Sequence, residues 1–176
     1  MSERSDVLVI GYGNPARGDD GLGPAAIAAL EADPPAGTTL SSNYQLTVED
    51  GMDAAAHEVV IFVDAAASGP APLAFRPVEP AEAVTFSSHH IAPGSVLAVA
   101  RDLFAARTRA YALAIRGYEF EAFRECLSPP AERNLDAAVA FLRRRLARRD
   151  FDAAAGGPAE ADETPCEDLS CKTEST

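Results

Sequence analysis

Val7-Leu8-Val9-Ile10 is a continuous run of β-branched and aliphatic residues that ends abruptly at Gly11. Such a run suits a strand buried on both faces of a parallel sheet, and it is expected to be the central first strand. A Gly-rich, doubly acidic segment from Gly11 to Gly23 follows it. From Gly21 to Ala32, Leu22, Ala25, Ala26, Ile27 and Leu30 recur at helical spacing until Asp33-Pro34-Pro35-Ala36-Gly37 ends the pattern. Thr38 to Thr47 reads as a second strand, Glu49 to His57 as a short helix, and Glu58 to Asp64 as another buried strand. The order βαβαβ predicts an α/β fold: one domain with a mostly parallel twisted sheet of about five strands and helices on both faces.

The remaining elements fit this frame. Pro72 to Val78 is expected at a sheet edge because prolines flank it, Pro93 to Phe104 reads as a helix, and Tyr111 to Arg116 reads as the last strand. Ser128-Pro129 opens a final helix with a capping hydroxyl, and Leu135, Val139, Leu142 and Leu146 share the face that packs on the sheet. Arg143, Arg144, Arg145, Arg148 and Arg149 crowd its end, where cations are favoured by exposed carbonyls; the expectation is a solvated helix terminus rather than a binding patch.

With 176 residues, 47% of them hydrophobic, the chain can bury about 70% of its unfolded surface in one core. That core is assigned to residues 1–149. Residues 150–176 hold eight acids and one lysine and little that is large, so a disordered acidic tail is expected there. The formal charge is -12, which repels phosphate backbones, and no basic stripe interleaved with aromatics offsets it; nucleic acid is excluded as a partner. The longest apolar runs, such as Val59 to Val63, fall far short of the roughly 20 residues that span a bilayer. No signal peptide is read at the N-terminus, and a soluble cytoplasmic monomer is expected. Cys126, Cys166 and Cys171 are odd in number, and the last two are poorly spaced for zinc, so no disulfide framework is implied.

The chemistry concentrates in the first turn. Gly11, Gly13 and Ala16 fit the G-x-G-x-x-G/A spacing of a dinucleotide-binding turn. Asp19 and Asp20 occupy the place of the phosphate, where two carboxylates repel an anion and attract a cation. One of them could cap a helix; the second costs like-charge repulsion unless Arg17 or a metal separates the pair. Asp64 ends the third strand as abruptly as Gly11 ends the first. In an open parallel sheet both strand ends face one crevice, so Asp20 and Asp64 can converge. His57 precedes that strand and belongs at the opposite edge, whereas His89 and His90 sit in a loop leading to the Pro93 helix. Two carboxylates and an imidazole would suit zinc, nickel or another divalent ion. H-E-x-x-H and G-x-S-x-G are both absent, and Cys126 has no evident paired base.

G-x-G-N, a short spacer, Asp-Asp-Gly-x-Gly, then Val-Asp-Ala after a buried strand and Ser-His before a helix resemble the hydrogenase maturation endopeptidases. Tyr44-Gln45-Leu46-Thr47 and Ile115-Arg116-Gly117-Tyr118-Glu119-Phe120 with Leu127-Ser128-Pro129 are similar to its cytoplasmic branches. The match covers about residues 6 to 146. The resemblance places the family's three metal-binding and catalytic positions at Asp20, Asp64 and His89, with His90 the adjacent alternative to His89. It implies removal of a C-terminal extension from a [NiFe]-hydrogenase large-subunit precursor after nickel insertion, the nickel arriving with the substrate. A nucleotide-binding module and a nickel metallochaperone on the same scaffold are the other readings.

Overall fold

The computed structural model describes residues 7–82 and 91–152. Among the described residues five strands and four helices follow in the order β1 (Val7–Tyr12), α1 (Leu22–Glu31), β2 (Thr38–Asn43), α2 (Asp50–Ala55), β3 (Val59–Ala66), β4 (Leu73–Val78), α3 (Pro93–Phe104), β5 (Arg109–Arg116) and α4 (Pro129–Arg148). A 3-10 turn, Gly18–Gly21, leads into α1. The sheet order is β2-β1-β3-β5-β4, parallel except for the antiparallel β4 at one edge. The expected α/β architecture is therefore present, including the proline-flanked edge strand.

The strand at the centre is β3, not β1. Both begin with a fully buried apolar run, so burial on two faces does not order them; the order follows from the chain crossing from one side of β1 to the other between β2 and β3. This reversal is the topological switch point, where ligands of open α/β sheets bind beyond the carboxyl ends of the strands. It lies between the ends of β1 and β3.

Strand alternation sends the two sets of side chains to opposite cores. Val7, Val9, Ile61, Leu113 and Ile115 pack with Leu22, Ile27 and Leu30 of α1 and Leu142 and Leu146 of α4. Leu8, Ile10, Val60 and Phe62 pack on the other face with Ala54 of α2 and Val96 and Leu97 of α3. Leu135 and Val139, expected on the packed face of α4, lie against the first cluster. The β1–α1 connection is unusually close: a Cβ on Gly23 would lie 2.6 Å from the Val63 carbonyl oxygen, so only glycine brings the helix start onto the sheet there.

Three expectations are corrected. Thr38–Thr47 does not continue as strand beyond Asn43, because the buried Asp50 carboxylate accepts from Asn43 Nδ2 at 2.9 Å, Thr47 N at 2.6 Å and Thr47 Oγ1 at 3.2 Å, curling the chain into α2. The arginines of α4 are not simply solvated. Arg143 donates to the Ala29 and Asp33 carbonyls at the end of α1, Arg149 donates to the Ala36 and Gly37 carbonyls, and the Arg145 guanidinium lies 5.0 Å over the Phe141 ring. Arg143 and Arg149 thus tie the end of α4 to the end of α1 and the turn that follows it.

The packed chain also runs past residue 149. Phe151 is buried against Tyr111, with ring centroids 5.8 Å apart, and Asp152 accepts from the Tyr111 hydroxyl and pairs with Arg109 at 3.1 Å. A charge-rich composition hid one large apolar residue. Truncating it, Phe151→Ala, is expected to cost about 3 kcal/mol, the usual loss for a buried aromatic, read as a lower denaturant midpoint. The cysteines at 166 and 171 and the rest of the acidic tail lie outside the described residues. No helix among the described residues is long and apolar enough to cross a membrane.

Candidate functional site

At the switch point, a cleft of about 340 Å³ is lined by Tyr12, Asp20, Tyr44, Gln45, Asp64 and Ile91, among others. It thus brings together Asp20, from the turn after β1, and Asp64, near the end of β3. Ile91, Ala92 and Pro93 at the start of α3 close another side. His89 and His90, which immediately precede this wall in sequence, lie outside the described residues. Among the described residues no third His, Cys, Asp or Glu joins the two carboxylates.

Each carboxylate is held by its own surroundings. Asp20 Oδ2 accepts from the Asn14 backbone N–H at 3.1 Å, closing the turn on itself. Asp64 Oδ1 accepts from Ala65 N at 2.8 Å, and the Tyr12 hydroxyl donates to the same carboxylate. The pairing register places Gly11 beside Val63, so Tyr12 and Asp64 emerge on the same face of the sheet. Burial pushes the Asp64 carboxyl up to about 6; hydrogen bonds from Ala65 and Tyr12 oppose this, and the Asp20 charge adds to it. Burial, followed by the charge of Asp64, drives the Tyr12 phenol well above its ordinary range. Tyr12 therefore stays protonated as a donor. The charged form of Asp64 is disfavoured beside Asp20, and a cation between the two oxygen donors relieves that cost. Hard oxygen ligands on a partly open cleft suit a divalent ion completed by further ligands.

Asp19 has a different task. It is fully buried and points away from the cleft, accepting from Tyr118 N at 2.7 Å, Glu119 N at 2.9 Å, Ser128 N at 2.7 Å and Ser128 Oγ at 2.7 Å. Burial opposes its ionisation, but the hydrogen bonds from Ser128, Tyr118 and Glu119 together outweigh this and hold the carboxyl below its usual range. The adjacent acids are thus separated by direction, without Arg17 between them, and Asp19 caps neither the 3-10 turn nor α1. It anchors the segment between β5 and α4 to the turn that carries Asp20.

The backbone of this turn is already committed. Gly13 N donates to Asn43 O, Asn14 N to Asp20, Ala16 N to the Asn14 side chain, Arg17 N to Asn14 O, and Gly18 N to Arg124 O. A phosphate cradle needs such amides free and convergent. Gly11 and Gly13 serve close packing instead, against the Gly23 and Asp20 carbonyls, and Ala16 is exposed.

His57 lies at the far end of the sheet, its ring within hydrogen-bond distance of Asp53 O and Thr39 Oγ1, as its position before β3 implied. Sequence reasoning did not single out Tyr12 or Asp50. Tyr12 was detectable as a polar aromatic at the end of a buried strand. The signal for Asp50 was a carboxylate three residues after Thr47, the spacing of a local side-chain-to-backbone bond.

No protein-family model matches this chain, and no curated protein matches it significantly. Solved structures do. The chain is similar to the hydrogenase maturating endopeptidase HybD from E. coli, with 20% identity, 81% of this chain and 93% of that chain covered, and a TM-score of 0.65. The [NiFe] hydrogenase maturation protease HycI from Thermococcus kodakarensis gives 19% identity, 83% and 95% coverage, and a TM-score of 0.64. The hydrogenase 2 maturation peptidase from a Thaumarchaeota archaeon gives 23%, 80% and 97%, and 0.59. At these identities the likeness is one of fold: this chain has the fold of the hydrogenase maturation endopeptidases.

Proposed function

We propose that this chain is an endopeptidase that removes the C-terminal extension of a nickel-loaded [NiFe]-hydrogenase large-subunit precursor. The observation that carries the proposal is the convergence of Asp20 and Asp64 in one cleft at the switch point, the two positions implicated by the sequence resemblance. The shared fold with proteins described as maturation proteases supports it. In this reading the precursor's nickel is part of the substrate, approached by Asp20, Asp64 and His89, and cleavage is conditional on metal loading. Bound there, nickel supplies Lewis acidity at the scissile peptide, whose hydrolysis consumes one water. Tyr12 and Ala65 keep the Asp64 carboxylate aimed, and Asp20 is aimed by Asn14. The enzyme acts as a cytoplasmic monomer on one protein partner. The committed amides of the Gly11–Asp20 turn disfavour the nucleotide-binding alternative.

The test is incubation of the purified protein with a nickel-loaded large-subunit precursor, followed by mass spectrometry of the precursor. Loss of a C-terminal peptide is expected, and none from the nickel-free precursor. Nickel binding without any cut would instead identify a metallochaperone.

A further inference from the structure

Phe123, in the segment joining β5 to α4, is 99% exposed and adopts a left-handed backbone conformation, with φ 64°. Phenylalanine is ordinarily buried, and that conformation costs a side-chain-bearing residue about 1 kcal/mol. Isolated exposed apolar residues are common and need no explanation. What distinguishes Phe123 is that its neighbours prevent it from relaxing. Gly18 N donates to Arg124 O at 2.7 Å, Arg124 N to Ala16 O at 3.1 Å, and Asp19 N to Glu119 O at 2.8 Å. The Asp19 carboxylate holds Tyr118, Glu119 and Ser128, and Arg124 pairs with Glu119 across the segment. An aromatic ring is therefore held out to solvent, one residue from two backbone bonds to the turn that carries Asp20.

The size of the cleft indicates what meets that ring. About 340 Å³ is at the small end of ligand pockets and admits only a short stretch of polypeptide. A specific protein complex buries about 800 Å² on each partner, so most of the contact must come from the rim. An exposed aromatic flanked in sequence by charged residues, here Glu121, Arg124 and Glu125, matches the aromatic enrichment and polar rim of protein interfaces. We propose that Phe123 is the anchor that docks the folded body of the precursor, entering an apolar pocket on its surface and setting the extension over Asp20 and Asp64. The inference rests on the endopeptidase reading.

Binding and cutting are measured separately, so that the two readings fail separately. Dissociation constants for the purified nickel-loaded precursor are determined for the parent chain, Phe123→Ala and Phe123→Gly, alongside thermal midpoints. Glycine accepts the left-handed conformation, so that variant folds at least as well as the parent. Both variants are expected to bind about tenfold or more weakly, with KM raised correspondingly and the cleavage rate at saturating precursor within about twofold of the parent. Binding within twofold of the parent in both variants overturns the anchor role. A parent chain that binds the precursor but never cuts it overturns the endopeptidase reading, while the binding comparison still decides Phe123. A parent chain that does not bind the precursor overturns both.

Discussion

Asp20→Ala, Asp64→Ala and His89→Ala are each expected to reduce cleavage of the nickel-loaded precursor at least a hundredfold, to the limit of detection by mass spectrometry. A metal-directed site of few ligands loses its geometry when any one is removed, and Lewis-acid stabilisation amounts to several kcal/mol of barrier. The Asp64 substitution also separates chemistry from folding. Asp64→Asn keeps an acceptor for Ala65 N and removes a charge that burial and Asp20 disfavour. Its unfolding midpoint at neutral pH is expected to equal or exceed that of the parent while cleavage is lost. A cut of normal speed by Asp64→Asn would show that the carboxylate is not needed for the reaction. Full activity in His89→Ala with loss in His90→Ala would transfer the imidazole role to the neighbouring residue.

How much of this arrangement was legible in the sequence depended on the range of the interactions. Apolar runs, their periods and flanking prolines located the strands and helices of the described residues to within a few residues, because burial on one or two faces is written locally. Strand order was not local: β1 and β3 look alike as runs, and only the crossover between them decides which is central. The convergence of Asp20 and Asp64 followed from a topological rule about strand ends, and the structure brings both into one cleft. Asp19 was harder to read. Its partners, Tyr118, Glu119 and Ser128, lie about a hundred positions away, and no spacing in the chain relates them to it. Phe151 was missed for a compositional reason, since one aromatic in an acidic, alanine-rich stretch hardly alters its average character.

The largest stability effect is expected at Asp19. Oδ1 accepts from Ser128 N, and Oδ2 accepts from Tyr118 N, Glu119 N and Ser128 Oγ, so both oxygens face donors only. Asp19→Ala leaves three backbone N–H groups without their acceptor, buried at Ser128 and partly buried at Tyr118 and Glu119, at up to about 1–3 kcal/mol each before relaxation. A net loss of about 4 kcal/mol is expected by denaturant titration, at the upper end for a single substitution. Asp19→Asn is nearly isosteric but turns an amide NH₂ toward N–H donors on one side or the other, so it is expected to cost about 2 kcal/mol. The pH dependence has a definite sign. The folded-state carboxyl lies below its unfolded value, so its contribution is complete above the usual carboxylate range and is lost as pH falls through the folded value. The parent should therefore lose stability on acidification below about pH 4, and the Asn variant should lack that component, narrowing the gap between the two chains as pH falls. A constant gap from pH 7 to pH 3 would mean that Asp19 stabilises by shape and not by charge. Because Asp19 joins the Asp20 turn to the segment that displays Phe123, its loss is also expected to weaken precursor binding under conditions where the chain is still folded. Two adjacent aspartates thus divide the work, one holding the site together from beneath and the other lining the cleft.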